Sequence, residues 1–152
     1  MTRSGPWSRR RSRSHFTYSR CRLVQYLGKL VVLAFYPLDR SQGCTIELTT
    51  FRDEFGSFFG EGTVVLPASV DSVASHASWA KDAHFSFAMI ADTAGVLAKE
   101  YESAAEGRKY FQRTAFVTGK DGKLAYADLR FNASSQDSYD RLQSAIKAAK
   151  AQ

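Results

Sequence analysis

Cysteine is scarce in this chain: Cys21 and Cys44 are the only two in 152 residues, and no Cys-x-x-Cys pair occurs. Two cysteines cannot build a disulfide framework. The three histidines, His15, His76 and His84, show no metal-ligand spacing with cysteines or acids, so zinc is set aside and no metal or organic cofactor is expected. Long apolar runs are also missing. The longest, Leu30 to Tyr36 ("LVVLAFY"), falls well short of the roughly 18–20 residues of a membrane span, so no membrane partner is expected. No apolar segment follows the basic start closely, which argues against a secretory signal.

Acid is absent from the first 22 residues, which carry seven arginines. Removing these from the chain's 21 basic and 15 acidic residues leaves a body with 14 basic side chains against 15 acidic ones. The formal charge of +6 therefore belongs to an arm. A domain that grips nucleic acid shows its positive charge on the fold itself, so nucleic acid is not an expected partner. Residues 1–22 are Ser/Arg-rich without apolar period and read as a disordered arm. They also have the composition of an organelle transit peptide, or follow from an upstream start site. The expected compartment is the cytoplasm, with organelle targeting by the arm left open. Residues 23–152 read as one domain, long enough to bury a core.

In that domain Leu30 to Tyr36 is a near-continuous apolar run, the mark of a strand covered on both faces, and Pro37 ends it. Ile46, Leu48, Phe51, Phe55, Phe58 and Phe59 recur at helical steps, which predicts an amphipathic helix over Cys44 to Phe59. A second strand covers Thr63 to Val70. Asp71-Ser72 can cap a helix to about Ala83. Phe85 to Ile90 alternates like a short strand, and Asp92-Thr93 can cap a helix running to Tyr101. After a charged loop come strands Arg113 to Thr118 and Leu124 to Leu129, joined by a turn whose Asp121-Gly122 signals a hairpin. A helix from Ser135 to Ala149 closes the chain. The order β-α-β-α-β-α-β-β-α predicts an α/β sandwich with a mixed central sheet and helices on both faces. His76 and His84 read as surface residues of a helix and a loop.

Cys44 lies beyond a strand's carboxyl end, where a helix begins, and ligands bind at such places in open α/β folds. A helix start presents free N–H groups and partial positive charge, which favour a thiolate, and the thiolate is the nucleophile. Gly43 permits close backbone approach from the preceding loop, and Ser41 could place a hydroxyl beside the sulfur. The bland alternative is a buried cysteine packed as a small hydrophobe.

The stretch "FYPLDRSQGCTIE" resembles the active-site loop of peroxiredoxins, with the Pro-x-x-x-Ser/Thr-x-x-Cys pattern on Pro37, Ser41 and Cys44. It is most similar to the bacterioferritin comigratory branch. "LGKLVVLAFYP", "FRDEF", "VDSVASHASWA" and "RTAFVTGKDGKLAY" resemble further segments of that family in the same order. The resemblance runs from about Leu23 to the chain end. It implies a thioredoxin-like three-layer sandwich whose N-terminal hairpin is missing or divergent, since residues 1–22 lack the family's Ala-Pro-x-Phe stretch. It also implies a thiol-dependent peroxidase acting on hydrogen peroxide or alkyl hydroperoxides. Cys44 would be oxidised to a sulfenic acid. Pro37 would shield the sulfur, and Ser41 would hydrogen-bond the attacked oxygen. Arg113 would hold the thiolate and the leaving oxygen, and Glu47 would orient an arginine.

Many proteins of this branch carry a resolving cysteine five residues after the first. Here that residue is Thr49, and no cysteine follows Cys44. A one-cysteine enzyme reduced by an external thiol is the implied type, with thioredoxin, glutaredoxin or a small thiol as partner. Cys21 is an alternative resolver in the arm, and a homodimer is left open. The rival function is a non-catalytic thioredoxin-like binding module recruited through its basic arm. The sequon Asn132-Ala133-Ser134 matters only in a secreted eukaryotic protein.

Overall fold

The computed structural model of the chain describes residues 17–18, 26 and 28–152. Its strands are β1 (Thr17–Tyr18), β2 (Leu30–Phe35), β3 (Thr63–Ser69), β4 (Ile90–Ala91), β5 (Thr114–Thr118) and β6 (Leu124–Asp128). Its helices are α1 (Gln42–Asp53), α2 (Phe55–Phe58), α3 (Val73–Ala83), α4 (Val96–Glu100) and α5 (Gln136–Lys150). The strands form one mixed sheet in the order β1-β4-β3-β2-β5-β6. β1, β4, β3 and β2 run parallel, β5 pairs antiparallel with β2, and β6 pairs antiparallel with β5.

β2 reads as a continuous apolar run because both of its faces are covered. Leu30, Val32, Ala34 and Tyr36 enter one core cluster with Cys44, Leu48 and Phe51 of α1, Trp79 of α3, and Tyr139, Leu142 and Ile146 of α5. The alternate residues Val31, Leu33 and Phe35 pack with Leu97 and Ala98 of α4, and with Phe111 and Phe116. The period-two side-chain alternation of a strand thus divides one run between two cores. Phe51 sits among Phe58, Phe59, Phe131 and Tyr139, with ring centroids 5.2 to 6.5 Å away.

Local chemistry sets the boundaries. Ser72 accepts a hydrogen bond from the Ser75 N–H at 3.1 Å and caps α3. Asp92 reaches past the N-cap Gly95 to accept from the N–H groups of Leu97 and Ala98 at 3.2 and 2.8 Å. Gly122, at φ 82°, makes the β5–β6 turn, where Asp121 also accepts from the Lys123 N–H.

Several expectations need correction. The single helix over 44–59 is two: Glu54, at φ −109° and ψ 21°, breaks it, and α1 starts at Gln42. Ile46, read as part of the apolar face, is exposed. The strand expected over Phe85 to Ile90 shrinks to Ile90–Ala91, because Phe85 and Phe87 stack on each other at 5.1 Å and fill the core from a loop. His76, read as a surface residue, is fully buried, since α3 turns it inward with Trp79 and Ala80. His84 is exposed, in the left-handed C-cap of α3. Thr17–Tyr18, inside the segment read as an arm, pair with β4. The rest of that arm, Cys21 included, lies outside the described residues, as do residues 23–25 and 27. No helix among the described residues is long and apolar enough to cross a membrane.

The aromatic cluster predicts a large cavity penalty. Phe51→Ala should lower unfolding free energy by about 3–5 kcal/mol in urea denaturation. A loss under about 1 kcal/mol would mean that the cluster does not hold α1 against α5.

Candidate active site

The loop from β2 to α1 brings Pro37 and Ser41 to the start of the helix that carries Cys44. Ser41 is the N-cap of α1, with its N–H bonded to the Leu38 carbonyl at 3.3 Å and its own carbonyl accepting from Thr45 at 2.8 Å. Its hydroxyl makes no capping bond, so it is not committed to the helix. Pro37 is partly buried at the head of the loop. Cys44 is the third residue of α1, a free thiol and fully buried.

Arg113 is distant in sequence and adjacent in space. It immediately precedes β5, and Thr114 at the start of β5 is opposite Phe35 at the end of β2. The antiparallel register therefore carries the arginine to the first turn of α1. Its Nη1 donates to Glu47 Oε1 at 2.7 Å and lies 3.4 Å from Cys44 Sγ. Gly43 makes room for it: a Cβ there would lie 2.7 Å from Arg113 Nη2. The close approach at Gly43 is thus made by a side chain rather than by the preceding loop.

Glu47 is one helical turn beyond Cys44 and fully buried. Its Oε2 has no hydrogen-bond partner among the described residues. Burial pushes its carboxyl up to about 7, against the opposing charge and hydrogen bond of Arg113. Arg113 moves upward as well: burial works against its charge, but Glu47 and then Cys44 outweigh it. Burial, and after it the charge of Glu47, pushes the Tyr139 hydroxyl up to about 12; that hydroxyl donates to the Ala133 carbonyl at 2.7 Å. Beside Arg113 and Gly43 opens a cleft of about 480 Å³, whose wall also includes Leu129, Arg130, Phe131 and Ala133.

Direct contacts thus join Cys44, Glu47 and Arg113, with Ser41 and Pro37 on the adjoining loop. Sequence reasoning missed the part of Gly43 in seating Arg113, overlooked Asp39 and placed His76 on the surface. The spacing of His76 from Trp79 and Ala80, three and four residues, is the signal that could have placed the histidine on an inward face.

The fold is that of the thioredoxin-like thiol peroxidases. The chain belongs to the AhpC/TSA family, which it matches over residues 15–127. It is 34% identical over 104 residues to the putative peroxiredoxin Bcp of Coxiella burnetii, covering 64% of this chain and 69% of the relative. It is 32% identical over 109 residues to the peroxiredoxin Bcp of Bacillus subtilis, covering 68% and 69%. Among solved structures it is similar to the bacterioferritin comigratory protein of Xanthomonas campestris, with a TM-score of 0.72, 25% identity, and 84% and 83% of the two chains covered. The peroxidoxin BcpB of Mycobacterium tuberculosis superposes with a TM-score of 0.73 at 27% identity, over 84% of each chain. Within the family the chain is a peroxiredoxin of the bacterioferritin comigratory type, an oxidoreductase class that takes peroxides as substrates and thiols as reductants.

Because the folded carboxyl of Glu47 sits above its ordinary value of 4.5, folding is favoured while it holds its proton. That contribution is complete below about pH 4.5 and declines as pH rises through about 7, where the folded state ionises too. Denaturation of the wild type and of Glu47→Gln across this range should show the wild type losing roughly 3 kcal/mol more than the variant. Parallel curves would contradict the burial assigned to this carboxyl.

Proposed function

We propose that Cys44 is the nucleophile of a one-cysteine peroxidase that reduces hydroperoxides and is restored by an external thiol. The observation that carries this is Arg113 Nη1 at 3.4 Å from the Cys44 sulfur, anchored on its other side by Glu47.

The thiolate attacks the terminal oxygen of the hydroperoxide, and an S–O bond forms as the O–O bond breaks. The sulfur is oxidised to the sulfenic acid, and the departing alkoxide or hydroxide takes a proton to leave as alcohol or water. Negative charge moves from sulfur to the leaving oxygen. The Arg113 guanidinium, with several N–H donors in a fixed plane, can serve both ends of that movement. The N–H groups of Gly43 and Cys44 precede the helix's first i→i−4 bond, made by Thr45 to Ser41, and add preorganised donors. The Ser41 hydroxyl, uncommitted to capping, hydrogen-bonds the attacked oxygen. Pro37 keeps water from the sulfur, and Glu47 fixes the arginine. In this one-cysteine reading an added thiol attacks the sulfenic sulfur, releases water and forms a mixed disulfide, which a second thiol reduces. Thioredoxin, glutaredoxin or a small thiol fits that role.

The cleft supports organic hydroperoxides besides hydrogen peroxide, since Leu129, Phe131 and Ala133 give it apolar wall and its volume exceeds what two oxygens need. The similar Xanthomonas protein is described as reducing alkyl peroxides.

Stopped-flow oxidation and intact mass test this. One equivalent of peroxide should add one oxygen to the wild type, and a thiol should convert that adduct to a mixed disulfide. Cys44→Ser should gain no oxygen at this rate. Arg113→Lys, which lacks the planar set of further N–H donors that can follow the charge to the leaving oxygen, should react about 10²-fold more slowly. Ordinary thiol reactivity in the wild type, unchanged by the lysine, would instead favour a binding module.

A further inference from the structure

The loop bearing Pro37 and Ser41 contains an aspartate that the peroxidase reading does not use. Asp39 is buried, and a buried carboxylate is costly unless its oxygens are satisfied. Here they are. Tyr36 Oη donates to it at 2.7 Å, Ser75 Oγ at 2.7 Å, and His76 Nδ1 lies 2.8 and 3.0 Å from its two oxygens. Its backbone N–H donates to Asp71 Oδ2 at 2.8 Å. The other ring nitrogen of His76, Nε2, faces the Ile90 carbonyl at 3.0 Å. Each ring nitrogen thus faces an acceptor, and Nδ1 stands within ion-pair distance of the carboxylate. Burial pushes the Asp39 carboxyl up, but the hydrogen bond and charge of His76, with the bonds from Tyr36 and Ser75, hold it below its ordinary range.

The next residue shows what this anchorage does. Arg40 has φ 66°, a left-handed conformation that a side chain with a Cβ rarely adopts and that persists only where its surroundings over-determine it. Its guanidinium is tied to Asp82 at 2.7 Å and Ser78 at 3.0 Å. Ser75, His76, Ser78 and Asp82 all belong to α3. One helix therefore grips both residues before Ser41, and the left-handed turn at Arg40 sets the direction in which the chain enters Ser41.

We propose that His76, through its buried ion pair with Asp39, is a positioning residue for peroxide reduction: it locks the 37–41 loop onto α3 in the left-handed turn that aims the Ser41 hydroxyl at the substrate. This rests on the reading of Cys44 and Ser41 above. A buried ion pair with a merely structural role would affect stability without favouring one reagent at Cys44 over another.

A double-mutant cycle separates the roles. His76→Asn, Ser41→Ala and the double variant are compared for oxidation of Cys44 by hydrogen peroxide and for its alkylation by iodoacetamide. His76→Asn should slow oxidation about tenfold or more, with alkylation changed less than about twofold. In the Ser41→Ala background the same substitution should cost less than about twofold, because the hydroxyl it positions is gone. Equal losses in both backgrounds, or no loss in either, would overturn the proposal. If His76→Asn does not fold, Ser75→Ala removes one donor to Asp39 and keeps the pair; its smaller loss must likewise vanish with Ser41→Ala, and persistence refutes the idea. A wild type inert to peroxide, or a Ser41→Ala variant as fast as wild type, would show that the underlying reading of the site has failed, and this proposal with it.

Discussion

The site depends on a single guanidinium with two claims on it. Arg113 Nη1 is 2.7 Å from a buried carboxylate oxygen and 3.4 Å from a buried sulfur. In water such contacts would contribute little. Here Glu47 and Cys44 have no exposure at all, and Arg113 has little, so charge removed from solvent interacts strongly. The carboxylate fixes the arginine, and the arginine's remaining capacity falls on the sulfur. Glu47 bears the cost, with one oxygen unpartnered among the described residues and its proton affinity raised. Such a strained buried acid is hard to explain as packing, and easier to explain as the anchor of a group needed elsewhere.

The fold delivers that arrangement by register. β2 ends at Phe35 and hands the chain to the loop and α1. β5 begins at Thr114 opposite Phe35 and hands Arg113 to the same spot. Gly43 then admits the guanidinium. The loop, gripped by α3 on its other side, completes a rigid frame around a sulfur that has no second cysteine downstream. In the proposed one-cysteine cycle the described fold serves the oxidation step, and the return step falls to a thiol from outside.

Much of this frame was legible in the sequence because its signals are local. A run apolar at every position announces a strand buried on both faces, as β2 is. The strand, proline, loop, glycine, cysteine succession marks the carboxyl edge of the sheet. What stayed hidden depends on tertiary contacts. Nothing local predicts that Glu54 interrupts a helix flanked by apolar residues, or that Phe85 and Phe87 enter the core from a loop. His76 looked like surface because histidine is polar, and its burial is made tolerable by Asp39, 37 residues away, and by the Ile90 carbonyl. Arg113 could be picked out only through family resemblance, since its partners lie 66 and 69 residues upstream.

The sharpest test compares Cys44 with itself. In a Cys21→Ser background, the rate of its oxidation by hydrogen peroxide is measured in the folded protein and in the same chain unfolded by urea. A thiol that is merely packed away reacts more slowly when folded, because it is shielded. An activated thiolate held by Arg113 reacts faster when folded, by about 10³-fold or more if the donors act as preorganised charge stabilisers. A folded rate at or below the unfolded one would contradict the account.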